Sequence, residues 1–200
     1  LYLKRLLVGG LDRVYEISKD FRNEGLSRVH NPEFTMLEWY QAFTDYNDQM
    51  VLVERIVGHV LDEVLSTREL RYGNEMISFE PPFPRISLVG ALSEALGVDV
   101  LHLEDQALRK RAKALALDDV DTAGRGKLID KLFAALVEPG LVQPTFVIDH
   151  PKELSPLAKE HRSDSRLTER FELYVGRVEL CNGFSELNDP LDQRARFEAQ

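Results

Sequence analysis

Residues 21–40 read FRNEGLSRVHNPEFTMLEWY, and an arginine, glutamates and a histidine crowd a short loop there between two strand-like runs. Upstream, Val14–Phe21 (VYEISKDF) carries β-branched and aromatic residues, and downstream Glu33–Tyr40 (EFTMLEWY) does so again. The segment between holds Asn23, Gly25, Ser27, Asn31 and Pro32, the residues that break strands and make turns. This pattern predicts a hairpin with a long polar loop. In its second strand, alternation points Phe34, Met36, Glu38 and Tyr40 one way and Thr35, Leu37, Trp39 and Gln41 the other. A carboxylate on such a face is costly unless it meets a positive charge or several donors, and a cationic ligand would meet that need.

Working outward, the totals bound the class. The chain has 200 residues, of which 44% are hydrophobic, enough for one packed domain of ordinary size. It begins with Leu1 in an apolar helical run and ends at Gln200 in another helical pattern, and so reads as a partial segment. A net charge of -9 argues against a self-sufficient nucleic-acid surface, because phosphate contacts draw on Lys and Arg. One cysteine, Cys181, excludes an intrachain disulfide framework and a Cys-rich zinc site, fits a reducing cytoplasm, and reads as a pocket-wall or core residue. No apolar run approaches the roughly 20 residues needed to span a bilayer.

Along the chain, LYLKRLLV (1–8) is a short helix stopped by Gly9-Gly10; these glycines follow a helix, whereas a phosphate loop would precede one. Asn47 or Asp48 is expected to cap a helix running to about Leu65, with Val51, Val53, Ile56, Val60, Leu61, Val64 and Leu65 as its apolar stripe. LRYGNEMISF (70–79) reads as a small hairpin about Gly73-Asn74. Three helices follow, at Ser87–Leu96, about Leu103–Leu117 and about Arg125–Val137, and the basic run Arg109-Lys110-Arg111-Lys113 reads as a solvated helix face. QPTFVI (143–148) returns to strand, with Asp149-His150-Pro151 as a turn, and Leu167–Val175 and Val178–Glu186 are two further strands. On the last of these Asn182, Phe184 and Glu186 share a face, whereas Glu179 has the other parity unless a bulge intervenes. Asp189-Pro190 opens a final helix.

Phe21-Arg22-Asn23-Glu24, a loop, then His30-Asn31-Pro32-Glu33-Phe34 resembles motif 2 of the class II aminoacyl-tRNA synthetases, and the continuation MLEWY resembles the lysyl branch. A second block, ELYVGRVELCNGFSELNDP (172–190), preceded by Ser155-Pro156-Leu157-Ala158-Lys159, resembles the segment that completes that branch's amino-acid pocket. The resemblance implies an α+β fold: a largely antiparallel sheet flanked by helices, with residues 1–200 a partial catalytic domain and 84–140 a helical insertion. It implies ATP-dependent activation of lysine and transfer to tRNA(Lys), by a cytoplasmic homodimer with no membrane association.

The roles implied by the resemblance are as follows. Arg22 bridges the lysine carboxylate and the α-phosphate as the catalytic residue. Glu24, His30 and Asn31 hold the adenine and outer phosphates, and Phe34 stacks on the adenine. Glu172 and Glu179 bind Mg²⁺. Glu186 with Tyr40 takes the ε-ammonium, Glu38 the α-ammonium, Asn182 the carboxylate end, and Phe184 packs along the methylenes. In many lysyl enzymes a basic residue immediately precedes the histidine, whereas here Val29 separates Arg28 from His30. Motif 1, motif 3 and the anticodon-binding barrel are absent from these residues, so the segment alone is expected to adenylate poorly or not at all. Two alternatives stay open: a lysyl-synthetase paralogue that modifies a translation elongation factor, and a non-catalytic amino-acid-binding module derived from a synthetase.

Overall fold

The computed structural model describes residues 2–23, 25–26 and 30–198. They form two compact units, residues 1–44 and 45–200. Among the described residues no helix is long and apolar enough to cross a membrane.

The first unit holds α1 (Tyr2–Val8) and the hairpin strands β1 (Arg13–Phe21) and β2 (Glu33–Gln41). As the glycine pair predicts, α1 stops with Gly9 N–H on Arg5 O and Gly10 N–H on Leu7 O, and Gly10 takes a φ of 98°, a left-handed conformation that suits glycine. β1 and β2 pair antiparallel from Phe21↔Glu33 to Arg13↔Gln41. One face therefore carries Val14, Glu16, Ser18 and Asp20 opposite Tyr40, Glu38, Met36 and Phe34.

The second unit begins with α2 (Tyr46–Leu65). Its cap is Asp45 rather than Asn47 or Asp48: the Asp45 carboxylate accepts from Asn47 N–H and Asp48 N–H, while the Asp48 carboxylate accepts from Asp45 N–H at 3.0 Å. The expected cap residue Asp48 is thus the third helical position of a capping box. The expected apolar stripe is also wider than the buried one. Met50, Val53 and Leu61 are buried, whereas Val51, Val60, Val64 and Leu65 are exposed; α2 packs on the strands at Leu167–Val175 and Val178–Phe184.

The small hairpin β3 (Glu69–Tyr72) and β4 (Glu75–Ser78) turns at Gly73-Asn74 as expected. The main sheet has the order β5-β6-β7-β8, built from Arg85–Ser87, Thr145–Pro151, Leu167–Val175 and Val178–Phe184. β5 joins β6 in parallel and the remaining pairs are antiparallel. The α+β class holds, but among the described residues the strands form three sheets and the largest is mixed. Asp149-His150-Pro151 is not a turn. Asp149, at φ 59°, bulges out of β6, and the strand resumes with His150↔Thr168 and Pro151↔Leu167. Proline is tolerated there because β5 pairs only as far as Ile148, so no neighbour on that side needs an N–H from residue 151.

Helices α3 (Leu88–Leu96), α4 (Asp105–Ala114) and α5 (Arg125–Leu136) bury Leu92, Val100, Leu108, Leu128, Ile129 and Leu132 completely in one cluster with Val147 of β6 and Tyr174 of β7. α4 is shorter than expected: Val100–His102 form a separate 3₁₀ turn before it, and Ala116 in the left-handed region ends it. Of the expected solvated basic run, Arg109 is drawn into structure, donating to the carbonyls of Val120 and Ala123, whereas Lys113 stays exposed and pairs with Asp121 at 2.5 Å on the surface. The opposite face of the main sheet is aromatic, with Phe146 against Phe171 at 5.5 Å and Phe83 against Phe146 at 5.9 Å between ring centroids.

Candidate active site

In the first unit the polar hairpin end carries two of the expected residues in contact. Arg22 leaves β1 with its N–H on Pro32 O at 2.8 Å, and its guanidinium carbon stands 5.3 Å from the centre of the Phe34 ring. A guanidinium and an aromatic ring this close offer the kind of groups against which a planar aromatic base can pack. His30 and Asn31 are exposed beside them. Glu24 and Arg28 lie outside the described residues.

Further along the same hairpin face, the Tyr40 hydroxyl donates to Glu38 Oε1 at 2.6 Å, and Lys4 Nζ stands 5.4 Å from the Tyr40 ring centre. Glu38 is directly opposite Glu16 in the β-ladder. Like charges facing each other across a strand pair are unfavourable, so this face has an excess of negative charge suited to an ammonium group.

In the second unit, β7 and β8 bring four expected residues onto one face. The pairs Arg170↔Phe184, Glu172↔Asn182 and Tyr174↔Glu179 alternate along that face. Glu179 reaches it because the register slips between Leu173 and Tyr174: Cys181 faces Leu173, Glu179 faces Tyr174, and Leu180 is the extra residue. The parity problem raised by the sequence is therefore solved by the bulge, and Asn182 Nδ2 donates to Glu179 Oε1 at 3.2 Å. On the reverse face Gly183 sits over Phe171, where a Cβ would come within 2.7 Å of the ring.

Glu172 is the most tightly held carboxylate of this face. Arg170 donates to Oε1 through a short bond, the Tyr174 hydroxyl donates to Oε2 at 3.0 Å, and His150 Nε2 stands 3.4 Å from Oε2. Burial acts to raise its pKa, but His150, Arg170 and the Tyr174 hydroxyl outweigh burial and hold it down at about 2. Cys181 goes the other way: burial and the nearby Glu179 charge push its thiol up to about 12, which suits a wall residue rather than a nucleophile.

Two carboxylates on one face, one of them firmly ionised, fit a hard divalent ion whose other ligands are phosphate oxygens and water. An ionised carboxylate offers about four acceptor positions, and the Glu172 partners leave one of those on Oε1. Among the described residues no cluster of three or more His, Cys, Asp or Glu could hold a metal by itself.

Glu186 lies just beyond β8, where it forms an antiparallel bridge with Ala158. The pairing is extended by Lys159 N–H on Ser185 O at 2.7 Å and Leu187 N–H on Leu157 O at 3.0 Å. The two sequence blocks, Ser155–Lys159 and 172–190, thus meet through an isolated antiparallel bridge. Ser185 Oγ also accepts the N–H of Tyr46, the first residue of α2, at 3.1 Å.

The sequence reading passed over Arg170, Tyr174 and His150. Arg170 and Tyr174 share parity with Glu172 on β7, a signal present in the sequence; His150 was hidden because its segment reads as a turn.

The model of the family described as tRNA synthetases class II (D, K and N) matches residues 1–200. Among curated proteins, the chain is 48% identical over 200 residues to a lysine–tRNA ligase of Porphyromonas gingivalis, covering 100% of this chain and 35% of the relative. It is 50% identical over 202 residues to one from Aquifex aeolicus, with 100% and 34% covered, and 49% identical over 201 residues to one from Bacillus subtilis, with 100% and 40% covered. The chain spans between a third and two-fifths of the length of these relatives. With the family model matching its whole length, the chain belongs to the class II tRNA synthetases of the D, K and N group.

Proposed function

We propose that the protein is a lysine–tRNA ligase and that these residues supply the greater part of its amino-acid-activating site. The observation that carries this reading is the identity of 48–50% to relatives named lysine–tRNA ligase, over matches that cover all of this chain.

Activation requires the lysine carboxylate to attack the α-phosphorus of ATP while pyrophosphate leaves. Both reactants are anions and no protein nucleophile is needed, so positioning and charge stabilisation carry the rate. In the hairpin, Arg22 presents a planar fork of donors to the lysine carboxylate and the α-phosphate, a geometry that a lysine ammonium does not reproduce. Phe34, beside the Arg22 guanidinium, receives the adenine ring, and Glu24, His30 and Asn31 hold the adenine and the outer phosphates. Glu38 takes the α-ammonium and the Tyr40 hydroxyl serves the ε-ammonium.

On the β7–β8 face, Asn182 orients the carboxylate end and Phe184 lines the methylenes. Glu186 faces the ε-ammonium. Glu172 and Glu179 are the residues that would hold Mg²⁺, which when bound supplies positive charge to the phosphates. The acceptor is tRNA(Lys), and the working enzyme is a cytoplasmic homodimer.

The test is ATP–pyrophosphate exchange by the intact protein with lysine, ornithine, norleucine and asparagine. A site that hydrogen-bonds its substrate rejects analogues lacking the group by roughly 10⁴–10⁵, so norleucine should support almost no exchange. Glu186→Gln and Arg22→Ala should each lower lysine-dependent exchange by about 10²-fold or more. Equal exchange with norleucine, or none with any amino acid, sinks the reading; failure to charge tRNA despite lysine-dependent exchange would sink the acceptor alone.

A further inference from the structure

Helix α6 (Pro190–Glu198) buries none of its residues, and its apolar members Leu191 and Phe197 are 77% and 54% exposed. Apolar packing therefore does not hold it. Instead one charged side chain is drawn in: Arg196, whose side chain is only 8% exposed. Its Nε and Nη2 donate to the two oxygens of Asp192 at 3.0 and 2.7 Å, and its Nη1 donates to the carbonyls of Ser155 at 3.1 Å and Ala158 at 2.7 Å. Gln193, on the same helix, donates to the Pro156 carbonyl at 3.0 Å. Lys152, just before this run, stands 3.7 Å from Asp192 and 2.8 Å from Glu160.

The carbonyls so gathered belong to the segment whose other edge pairs with Glu186. Ala158 bridges Glu186, and the flanking bonds Lys159 to Ser185 and Leu187 to Leu157 fix the register on either side. A guanidinium removed from water is costly unless its donors are matched, and here the matching acceptors lie on the helix itself and on the strand behind Glu186.

The geometry points to Arg196 as a positioning residue for Glu186: through the 155–158 backbone it sets where the Glu186 carboxylate stands, and so how well the protein selects an amino acid ending in an ammonium. This rests on the reading of Glu186 as the carboxylate that meets the ε-ammonium. Arg196 does not touch the substrate. Its effect belongs on recognition of the amino-acid side chain, with ATP recognition left alone.

The experiment uses the intact protein with Arg196→Ala, Arg196→Lys, Glu186→Gln and the double variant Glu186→Gln/Arg196→Ala. It reads KM for lysine, KM for ATP and the ratio of kcat/KM for lysine over norleucine, at temperatures where each variant is folded by circular dichroism. Arg196→Ala should raise the lysine KM about tenfold or more and lower the lysine-to-norleucine ratio, with the ATP KM changed by less than about twofold. Arg196→Lys, which keeps the charge and loses the fork, should recover little of the lysine KM. Once Glu186 is already Gln, removing Arg196 should add little, because the two act as one unit.

Equal rises in both KM values, or an Arg196→Ala penalty that multiplies unchanged onto Glu186→Gln, would overturn the proposal. Wild-type lysine selectivity in Glu186→Gln alone would instead overturn the reading of Glu186 on which it stands. Should Arg196→Ala fail to fold, Gln193→Ala removes a single bond of the same clamp. It should raise the lysine KM about two- to threefold without moving the ATP KM, and an unchanged lysine KM there counts against the proposal.

Discussion

Gly183 stands between Asn182 and Phe184 with the buried Phe171 ring beneath it, and the space there admits hydrogen but no methyl group. Phe171 is held in turn by Phe146, at 5.5 Å between ring centres, so it has little room to retreat. Gly183→Ala should destabilise the protein by about 1–3 kcal/mol, the usual cost of overpacking a tight core. Urea denaturation with an unchanged midpoint would contradict this. The glycine is visible in the sequence as the G of NGF, but its reason is not: only the structure brings residue 171 beneath residue 183.

At the scale of elements, the start of α2 is joined to β7 by a polar relay. Arg162 donates to Asp45, the α2 cap, at 2.7 Å and to Glu169 on β7 at 2.6 Å, and the Glu169 side chain is only 4% exposed. Burial acts to raise the Glu169 pKa, but the bonds from Arg162 and Ser185 prevail and lower it. A carboxylate with a depressed folded-state pKa stabilises the fold above its ordinary value, and that contribution is lost as pH falls through the folded one. Glu169→Gln should therefore cost about 2 kcal/mol at neutral pH. The deficit should narrow as the pH drops below the ordinary glutamate value of 4.5, where the unfolded chain takes up the proton first, and be lost once the pH passes the lowered folded-state value. Denaturation curves across that range test it, and a deficit independent of pH would show that the ion pair contributes nothing.

At the scale of the whole molecule, the two units differ in how their backbones are secured. β7 is hydrogen-bonded on both sides and carries Phe171 and Leu173 at 1% and 0% exposure, whereas among the described residues β1 and β2 pair only with each other. A two-stranded hairpin is marginal by itself, and local opening follows the density of buried contacts. Amides in β6 and β7 should exchange with solvent at least about 100-fold more slowly than those in β1 and β2. Comparable protection in both would mean that the hairpin is secured as firmly as the sheet. A looser hairpin suits an element proposed to receive ATP, since binding elements are drawn from the less stable parts of a fold.

Local chemistry set much of this protein directly from its sequence. Alternation defined β1, β2, β7 and β8, glycine stopped α1 and α3, and the hairpin residues carried their pattern in order, because each depends on neighbours a few positions away. The bulge at Leu180 was legible as a parity conflict, though its resolution was not. Tertiary structure alone decided what depends on distant partners. It extended β6 through Asp149 to Pro151, because Thr168 and Leu167 waited there to pair. It narrowed the buried face of α2 to the residues that pack on β7 and β8. And it turned Arg170 and Arg196 from ordinary surface-type residues into buried ligands of Glu172 and of the 155–158 carbonyls, since where a guanidinium finds its acceptors is fixed by packing and not by sequence spacing.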